Sequence, residues 1–276
     1  MIVVEYMGPN EKQNIEYLKE SSCKIVWVAS YPRSGNLLVT SILRDIFYHD
    51  TIDSVNEKVI RLDIHQPASP EKIVKIDVDG ESIVLVKSHW CYYMIDDLKD
   101  ITKSIIYIYR NPLDIVRSRI KFFCSNDPGI REMGIKRLYE HLSKMFEEDF
   151  SDWSRHVDDY VFGTINFPNL VLRYEDLVDN PIRHIFRLAD FMGIPISDSV
   201  AGAIASNNSK AKAKERENNR PYLRNHDLGF RYVLDDTDFQ YRSVFDAADF
   251  KSFEYKIMNS SAVFLQKLGY RPKLTK

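Results

Sequence analysis

The sequence is short of several things, and each shortage removes a class of protein. Cysteine is scarce: Cys23, Cys91 and Cys124 are the three in 276 residues. Their number is odd and their spacing is not that of a metal site. A reduced, intracellular chain with no disulfide framework and no bound metal is therefore expected. Long apolar runs are missing too, since none approaches the roughly 18 residues of a membrane-spanning helix. The opening stretch MIVVEYMGPNEKQ has no basic segment followed by a long apolar one. Neither a signal peptide nor a membrane anchor is expected, and the cytoplasm is the expected compartment. Excess positive charge is also lacking, with a net charge of −2 and a pI near 6.4. Bulk attraction to nucleic acid is not implied, so neither nucleic acid nor membrane is an expected partner. Internal repeats and low-complexity tracts are absent from the sequence.

What is present is an ordinary globular composition, 44% hydrophobic and 28% charged. Its length suits one large α/β domain or two small ones. Four short runs rich in Val, Ile and Tyr read as strands: Ile25–Ala29, Ile83–Lys87, Ser104–Tyr109 and Leu170–Arg173. They are apolar on both faces, the pattern of parallel strands covered by helices. Helical periodicity occupies Leu37–Tyr48, Pro112–Phe123, Ile135–Tyr160, Pro181–Met192 and Asp249–Leu268. The alternation predicts a central, mostly parallel sheet flanked by helices. In such sheets ligands bind at the carboxyl ends of the strands. Residues 50–80 are mixed in pattern, and the polar stretch 205–240 reads as a surface loop and a candidate lid.

Four strand ends carry chemistry. After the first comes Tyr31-Pro32-Arg33-Ser34-Gly35-Asn36, then a helix. A helix start offers unpaired N–H groups and the positive end of a dipole, which suits an anion. Gly35 permits close backbone approach, Arg33 adds a forked cation, and Ser34 and Asn36 add neutral hydrogen bonds. Taken alone, the same residues also describe a turn with a helix cap. The Walker spacing GxxxxGK[ST] is absent. The second strand ends Val86-Lys87-Ser88-His89-Trp90, the third runs Tyr109-Arg110-Asn111-Pro112 with Ser118 beyond, and the fourth runs Arg173-Tyr174-Glu175-Asp176-Leu177.

In this order the four segments resemble those of the sulfotransferases that use 3′-phosphoadenosine-5′-phosphosulfate (PAPS). The first is similar to that family's Tyr-Pro-Lys-Ser-Gly-Thr-Thr-Trp loop, with Arg33, Asn36, Leu37 and Leu38 as departures. The resemblance covers roughly residues 25–180 and implies a P-loop-NTPase-like sulfotransferase fold, one sulfotransferase domain over residues 1–276. It also implies in-line transfer of a sulfuryl group from PAPS to a hydroxyl or amine, with no metal. By the same resemblance Arg33, Ser34, Gly35, Asn36 and Leu37 hold the phosphosulfate. Arg110 and Ser118 hold the 3′-phosphate, Tyr174 lies against the adenine, His89 is the general base, and Lys87 assists at the sulfuryl oxygens. The family's C-terminal nucleotide loop is matched best by Leu223–Gly229, giving Arg224 as a further 3′-phosphate ligand and Arg220 as its competitor. Arginine in place of lysine at position 33 keeps the charge but does not donate a proton.

The acceptor is expected to be a small molecule held by aromatic residues, with Trp90, Tyr93, Phe122 and Phe123 as candidates. The alternatives to a sulfotransferase are a P-loop nucleotide kinase, which needs a Walker lysine and a carboxylate for magnesium, and a nucleotide-binding protein that transfers nothing.

Overall fold

Apolar runs bounded by glycine, proline and polar turns become the strands of a single sheet. The computed structural model describes residues 7–49, 61–69, 73–112, 114–115, 118–119, 153–219 and 262–270. The elements in chain order begin with α1 (Pro9–Glu20), β1 (Lys24–Ser30), α2 (Asn36–Phe47), β2 (Arg61–Asp63) and β3 (Ile76–Val78). Then come β4 (Glu81–Ser88), α3 (Tyr92–Asp96), β5 (Thr102–Tyr109) and a helix, α4, over residues 153–161. β6 (Asn169–Arg173), α5 (Tyr174–Asp179), α6 (Pro181–Met192), α7 (Asp198–Asn207), α8 (Lys210–Asn219) and α9 (Ala262–Lys267) follow.

The strand order is β2-β4-β1-β5-β6, with β3 paired to β4. All neighbours are parallel except β3 and β4. Register sets Ala29 beside Ser88, Ser30 beside Ile108 and Tyr109 beside Arg173. The carboxyl ends of β1, β4, β5 and β6 therefore finish along one edge. The four expected strands are all present, each extended by one to two residues or unchanged at its ends.

The doubly apolar strands are explained by two cores, one on each face. Val26 and Val28 of β1 join Ile106, Ile108 and Leu172 against α2, α6 and α7. Ile25, Trp27 and Ala29 point the other way, to Val84, Val86 and Tyr107 and to Leu18 of α1 and Ile95 of α3. Because successive side chains alternate between faces, a strand covered on both sides must be apolar at every position. A buried carboxylate ties α2 to the end of α7. Asp45 accepts from Asn207 Nδ2 at 2.6 Å and from Asn208 Nδ2 at 2.7 Å, and pairs with Arg44.

The chain divides into two compact units, residues 1–110 with 156–208 and residues 111–155 with 209–276. The first holds the sheet. In the second, the Trp153 ring meets Phe264 edge-on at 5.6 Å. The expectation of a loop over residues 205–240 is corrected where the structure describes it. Residues 205–207 finish α7, and Lys210–Asn219 form α8. KAKAKER is built from strong helix formers, and Lys212 pairs with Glu215 one turn on. The polarity that suggested a loop belongs to a solvated helix.

Candidate functional site

The turn after β1 is shaped by two left-handed residues, Arg33 (φ 71°) and Gly35 (φ 109°). For arginine that conformation costs about 1–3 kcal/mol and persists only where surrounding contacts demand it. One such contact is the hydrogen bond that Arg110 Nη1 donates to the Arg33 carbonyl at 3.3 Å. Ser34 is fully buried, and its hydroxyl meets no hydrogen-bond partner among the described residues. A buried, unsatisfied hydroxyl costs about 1–3 kcal/mol. A bound anion at the start of α2 would satisfy it. Leu37, half-buried in the first turn of α2, brings a backbone N–H to the same helix start. Asn36 is held through its side-chain nitrogen. Its Nδ2 donates to the Val28 carbonyl at 2.7 Å and to Ser30 Oγ at 3.2 Å. The amide nitrogen thus fastens α2 to the end of β1, while Asn36 Oδ1 is buried without a hydrogen-bond partner among the described residues.

Beside this turn stand Arg110 and Tyr174. The Arg110 guanidinium carbon lies 4.2 Å from the centre of the Tyr174 ring. Its Nε is buried and without a hydrogen-bond partner among the described residues. Gly35 packs so closely on Tyr174 that a Cβ there would fall 2.5 Å from the tyrosine Cδ2. Glycine is therefore required twice at this position, for its φ and for its missing side chain. Arg33, Ser34, Gly35, Arg110 and Tyr174, read from three separate segments of sequence, converge at the ends of β1, β5 and β6.

At the end of β4 the histidine is held through its ring. His89 Nδ1 lies 2.7 Å from the Ser30 carbonyl. A carbonyl only accepts, so Nδ1 carries the proton and Nε2 keeps the lone pair. Burial, followed by the nearby Lys87 cation, pushes its pKa down to about 3, so the ring is neutral across the physiological range. Lys87 itself is engaged, with Nζ 2.6 Å from Asp63 Oδ2. Burial opposes ionisation of Asp63, but Lys87 and His65 outweigh it and hold the carboxyl below its usual range. Three residues that no sequence pattern marked complete the surroundings. His65 stacks on His89 with ring centres 5.6 Å apart and planes 9° apart. Glu11 lies 2.7 Å from His65 Nδ1. His156 Nε2 lies 3.3 Å from the His89 carbonyl, and its Nδ1 lies 2.9 Å from the Tyr107 hydroxyl.

The buried imidazoles make the protein sensitive to acid. Burial lowers His156 to about 4. His184, buried near Arg187, moves in the same direction. In the unfolded chain each takes its proton near 6.5. Between that pH and about 4 the unfolded state binds more protons than His156 does in the folded one, so stability falls as pH falls, by at most about 1.4 kcal/mol per pH unit for His156, and His184 acts in the same direction. Above about pH 7.5 these groups contribute nothing. Urea melts at pH 7.5 and pH 5 are expected to show this loss, and His156→Phe to reduce the slope by one histidine's share. An unchanged slope in that variant would mean that His156 is not buried neutral.

The other expected positions scatter. Trp90 is only 4% exposed. Its ring packs against Trp27 at 5.6 Å, and its Nε1 donates to Glu11 at 2.9 Å. It sits in the core behind His89. Tyr93 is 49% exposed on α3. Ser118 is half-buried and helical within the second unit. Phe122, Phe123, Arg220 and Arg224 lie outside the described residues. Among the described residues no cluster of His, Cys, Asp and Glu is arranged to hold a metal ion, and no helix is long and apolar enough to cross a membrane.

Comparison with known proteins decides the family. The sulfotransferase domain matches residues 24–253, most of the chain and all four strand-end segments. This chain belongs to the sulfotransferase domain family. The sulfotransferase-domain chain is 28% identical over 177 residues to Sulfotransferase 4A1 of Homo sapiens, a match covering 61% of this chain and 60% of that protein. It is 25% identical over 198 residues to Sulfotransferase 1A1 of Rattus norvegicus, covering 68% of this chain and 66% of that one. The chain thus spans about three fifths to two thirds of the length of these curated relatives. Among solved structures it is similar to retinol dehydratase in complex with androsterone and the inactive cofactor PAP, with TM-score 0.62, 17% identity, and 92% and 94% of the two chains covered. Mouse sulfotransferase SULT7A1 complexed with PAP gives TM-score 0.56 at 18% identity, covering 92% and 94%. At such identities these structures bear on the fold, and the fold is that of sulfotransferases.

Proposed function

We propose that this protein is a PAPS-dependent sulfotransferase acting on a hydroxyl or amine of a small molecule, with residues 1–276 working as one catalytic domain. The carrying observation is the buried hydroxyl of Ser34 at the start of α2, without a hydrogen-bond partner among the described residues, next to an arginine fixed over Tyr174. Two relatives by fold are complexed with PAP, and one of them also with androsterone. PAPS supplies an activated sulfuryl group. Around it, Ser34 and the backbone of Gly35, Asn36 and Leu37 take the 5′-phosphate, and Arg33 neutralises the phosphosulfate. Arg110 and Ser118 take the 3′-phosphate, with Arg224 from the C-terminal part, and Tyr174 flanks the adenine. The acceptor's oxygen or nitrogen attacks the sulfur in line and its proton passes to the lone pair on His89 Nε2, while the bond from sulfur to the 5′-phosphate oxygen breaks and adenosine 3′,5′-bisphosphate leaves. Lys87, which stands beside Asp63, assists at the sulfuryl oxygens. Tyr93, Phe122 and Phe123 contribute to the acceptor's surroundings.

The test is thermal stability in the presence of adenosine 3′,5′-bisphosphate, AMP and ATP–Mg²⁺. A ligand that binds only the native state at roughly 100 times its dissociation constant adds about 2.7 kcal/mol. The bisphosphate is expected to shift the melting temperature strongly and AMP weakly. An equal shift with both would remove the 3′-phosphate from the reading. A larger shift with ATP–Mg²⁺ would favour a kinase.

A further inference from the structure

His89 is restrained at three atoms, and two of the restraints come from other histidines. Its ring is set by the Ser30 carbonyl at 2.7 Å. Its carbonyl accepts from His156 Nε2 at 3.3 Å. Its backbone N–H donates to His65 Nε2 at 3.1 Å. That N–H lies one residue past the end of β4, where the sheet ladder no longer supplies an acceptor, and a buried backbone donor needs one. The acceptor is a side-chain nitrogen that comes two residues after β2.

An imidazole nitrogen accepts only when unprotonated, so the bond requires the His65 tautomer with its proton on Nδ1. Glu11 fixes that tautomer, with its Oε1 2.7 Å from Nδ1. Glu11 is fixed in turn by the N–H of Gly8 at 2.5 Å and by Trp90 Nε1 at 2.9 Å. Trp90 adjoins His89 in sequence, so the bonds close a ring from His89 N–H through His65 and Glu11 back to the next residue. Burial opposes the charge on Glu11. The N–H groups of Trp90 and Gly8 and the contact with His65 nonetheless hold its carboxyl below the usual range. The carboxylate is thus ionised and accepting in the physiological range.

We propose that His65, oriented by Glu11, is a positioning residue that sets the backbone of His89 and thereby the placement of its Nε2. The inference rests on His89 being the base. Position is worth as much as identity here, since about 1 Å of displacement at a reacting group costs on the order of a hundredfold in rate. His156, whose Nδ1 accepts from the Tyr107 hydroxyl, braces the carbonyl of the same residue.

The test compares His65→Phe, which keeps a planar ring over His89 but offers no acceptor, with His65→Gln, whose amide oxygen can reach the same N–H. Sulfuryl transfer from PAPS to a generic phenol is measured alongside hydrogen exchange of the His89 amide. His65→Phe is expected to lower kcat about tenfold to a hundredfold, leave KM and bisphosphate binding unchanged, and speed exchange at His89. His65→Gln should restore both readouts to within a few-fold. In a His89→Ala background His65→Phe should cost nothing further. An equal loss in both backgrounds would mean a purely structural role and would overturn the inference. So would wild-type kcat in His65→Phe while His89→Ala is inactive, which leaves the base intact. Wild-type transfer by His89→Ala alone would instead overturn the reading of the base. If His65→Phe does not fold, Glu11→Gln, which keeps the bond lengths but loses the charge, carries the same comparison.

Discussion

Replacing His89 by alanine will lower sulfuryl transfer by about 10²- to 10⁴-fold, the range that a positioned general base contributes. It will leave the thermal shift produced by adenosine 3′,5′-bisphosphate unchanged, because the residues proposed to hold the nucleotide are other ones. The pH profile sharpens the test. A base works in its deprotonated form, so the rate is lost as pH falls through its pKa. With burial and Lys87 pushing His89 down to about 3, kcat/KM, which reports the free enzyme, should show no loss from this group between pH 8 and about pH 5. An ordinary histidine would already have cost about tenfold at pH 5.5, given its usual value near 6.5. A limb with its midpoint near 6.5 that disappears in His89→Ala would show that the imidazole is solvated and not held as described. Undiminished turnover by the alanine variant would remove His89 from the mechanism.

The two sides of this site were unequally visible in the sequence. The strand-end segments were readable because each combines a short apolar run with residues whose spacing is rigid. Tyr31 to Asn36 sits between a strand and a helix, and Arg110 is the residue directly after β5. Local covalent geometry places them, so sequence alone locates them. Asn36 shows the limit of that logic: spacing puts it at the start of α2, but not the bonds of its amide nitrogen to Val28 and Ser30, which arise because the end of a buried strand has carbonyls to satisfy. Glu11, Asp63, His65 and His156 were not readable. α1 is mostly polar and has only three buried residues, and β2 is three residues long, so neither leaves a periodic signature. Asp63 and His65 are brought to the end of β4 by parallel pairing of β2 with β4, which sets Asp63 beside Lys87. Pairing across a crossover is a tertiary fact, and a lone glutamate or histidine carries no sign of it. The nearest available signal was the Asp63-Ile64-His65 triplet inside an otherwise undistinguished stretch.

Arg110→Lys is expected to weaken adenosine 3′,5′-bisphosphate binding by about tenfold to a hundredfold, with AMP nearly unaffected, so that the preference between the two ligands shrinks toward one. Hydrogen bonds to charged groups are worth about 1.5–3 kcal/mol each, which converts to that range. Lysine preserves the charge, so a result driven by net charge alone would leave the preference intact. What lysine lacks is the planar fork. In this structure one nitrogen of the fork, Nη1, is bonded to the Arg33 carbonyl, and the plane lies over Tyr174. The buried Nε has no partner among the described residues. The guanidinium is therefore already oriented before any ligand arrives, and orientation is the part of binding that an ammonium on a flexible stem must supply afresh. Gly35→Ala probes the same arrangement from the other side. A Cβ 2.5 Å from Tyr174 must displace the ring on which Arg110 rests, and φ 109° adds strain of about 1–3 kcal/mol. That variant should lose both stability and bisphosphate binding, whereas Arg110→Lys should lose binding with little change in the melting temperature of the free protein. Equal binding of the bisphosphate by Arg110→Lys and wild type would mean that the arginine serves the turn at Arg33 and not the 3′-phosphate.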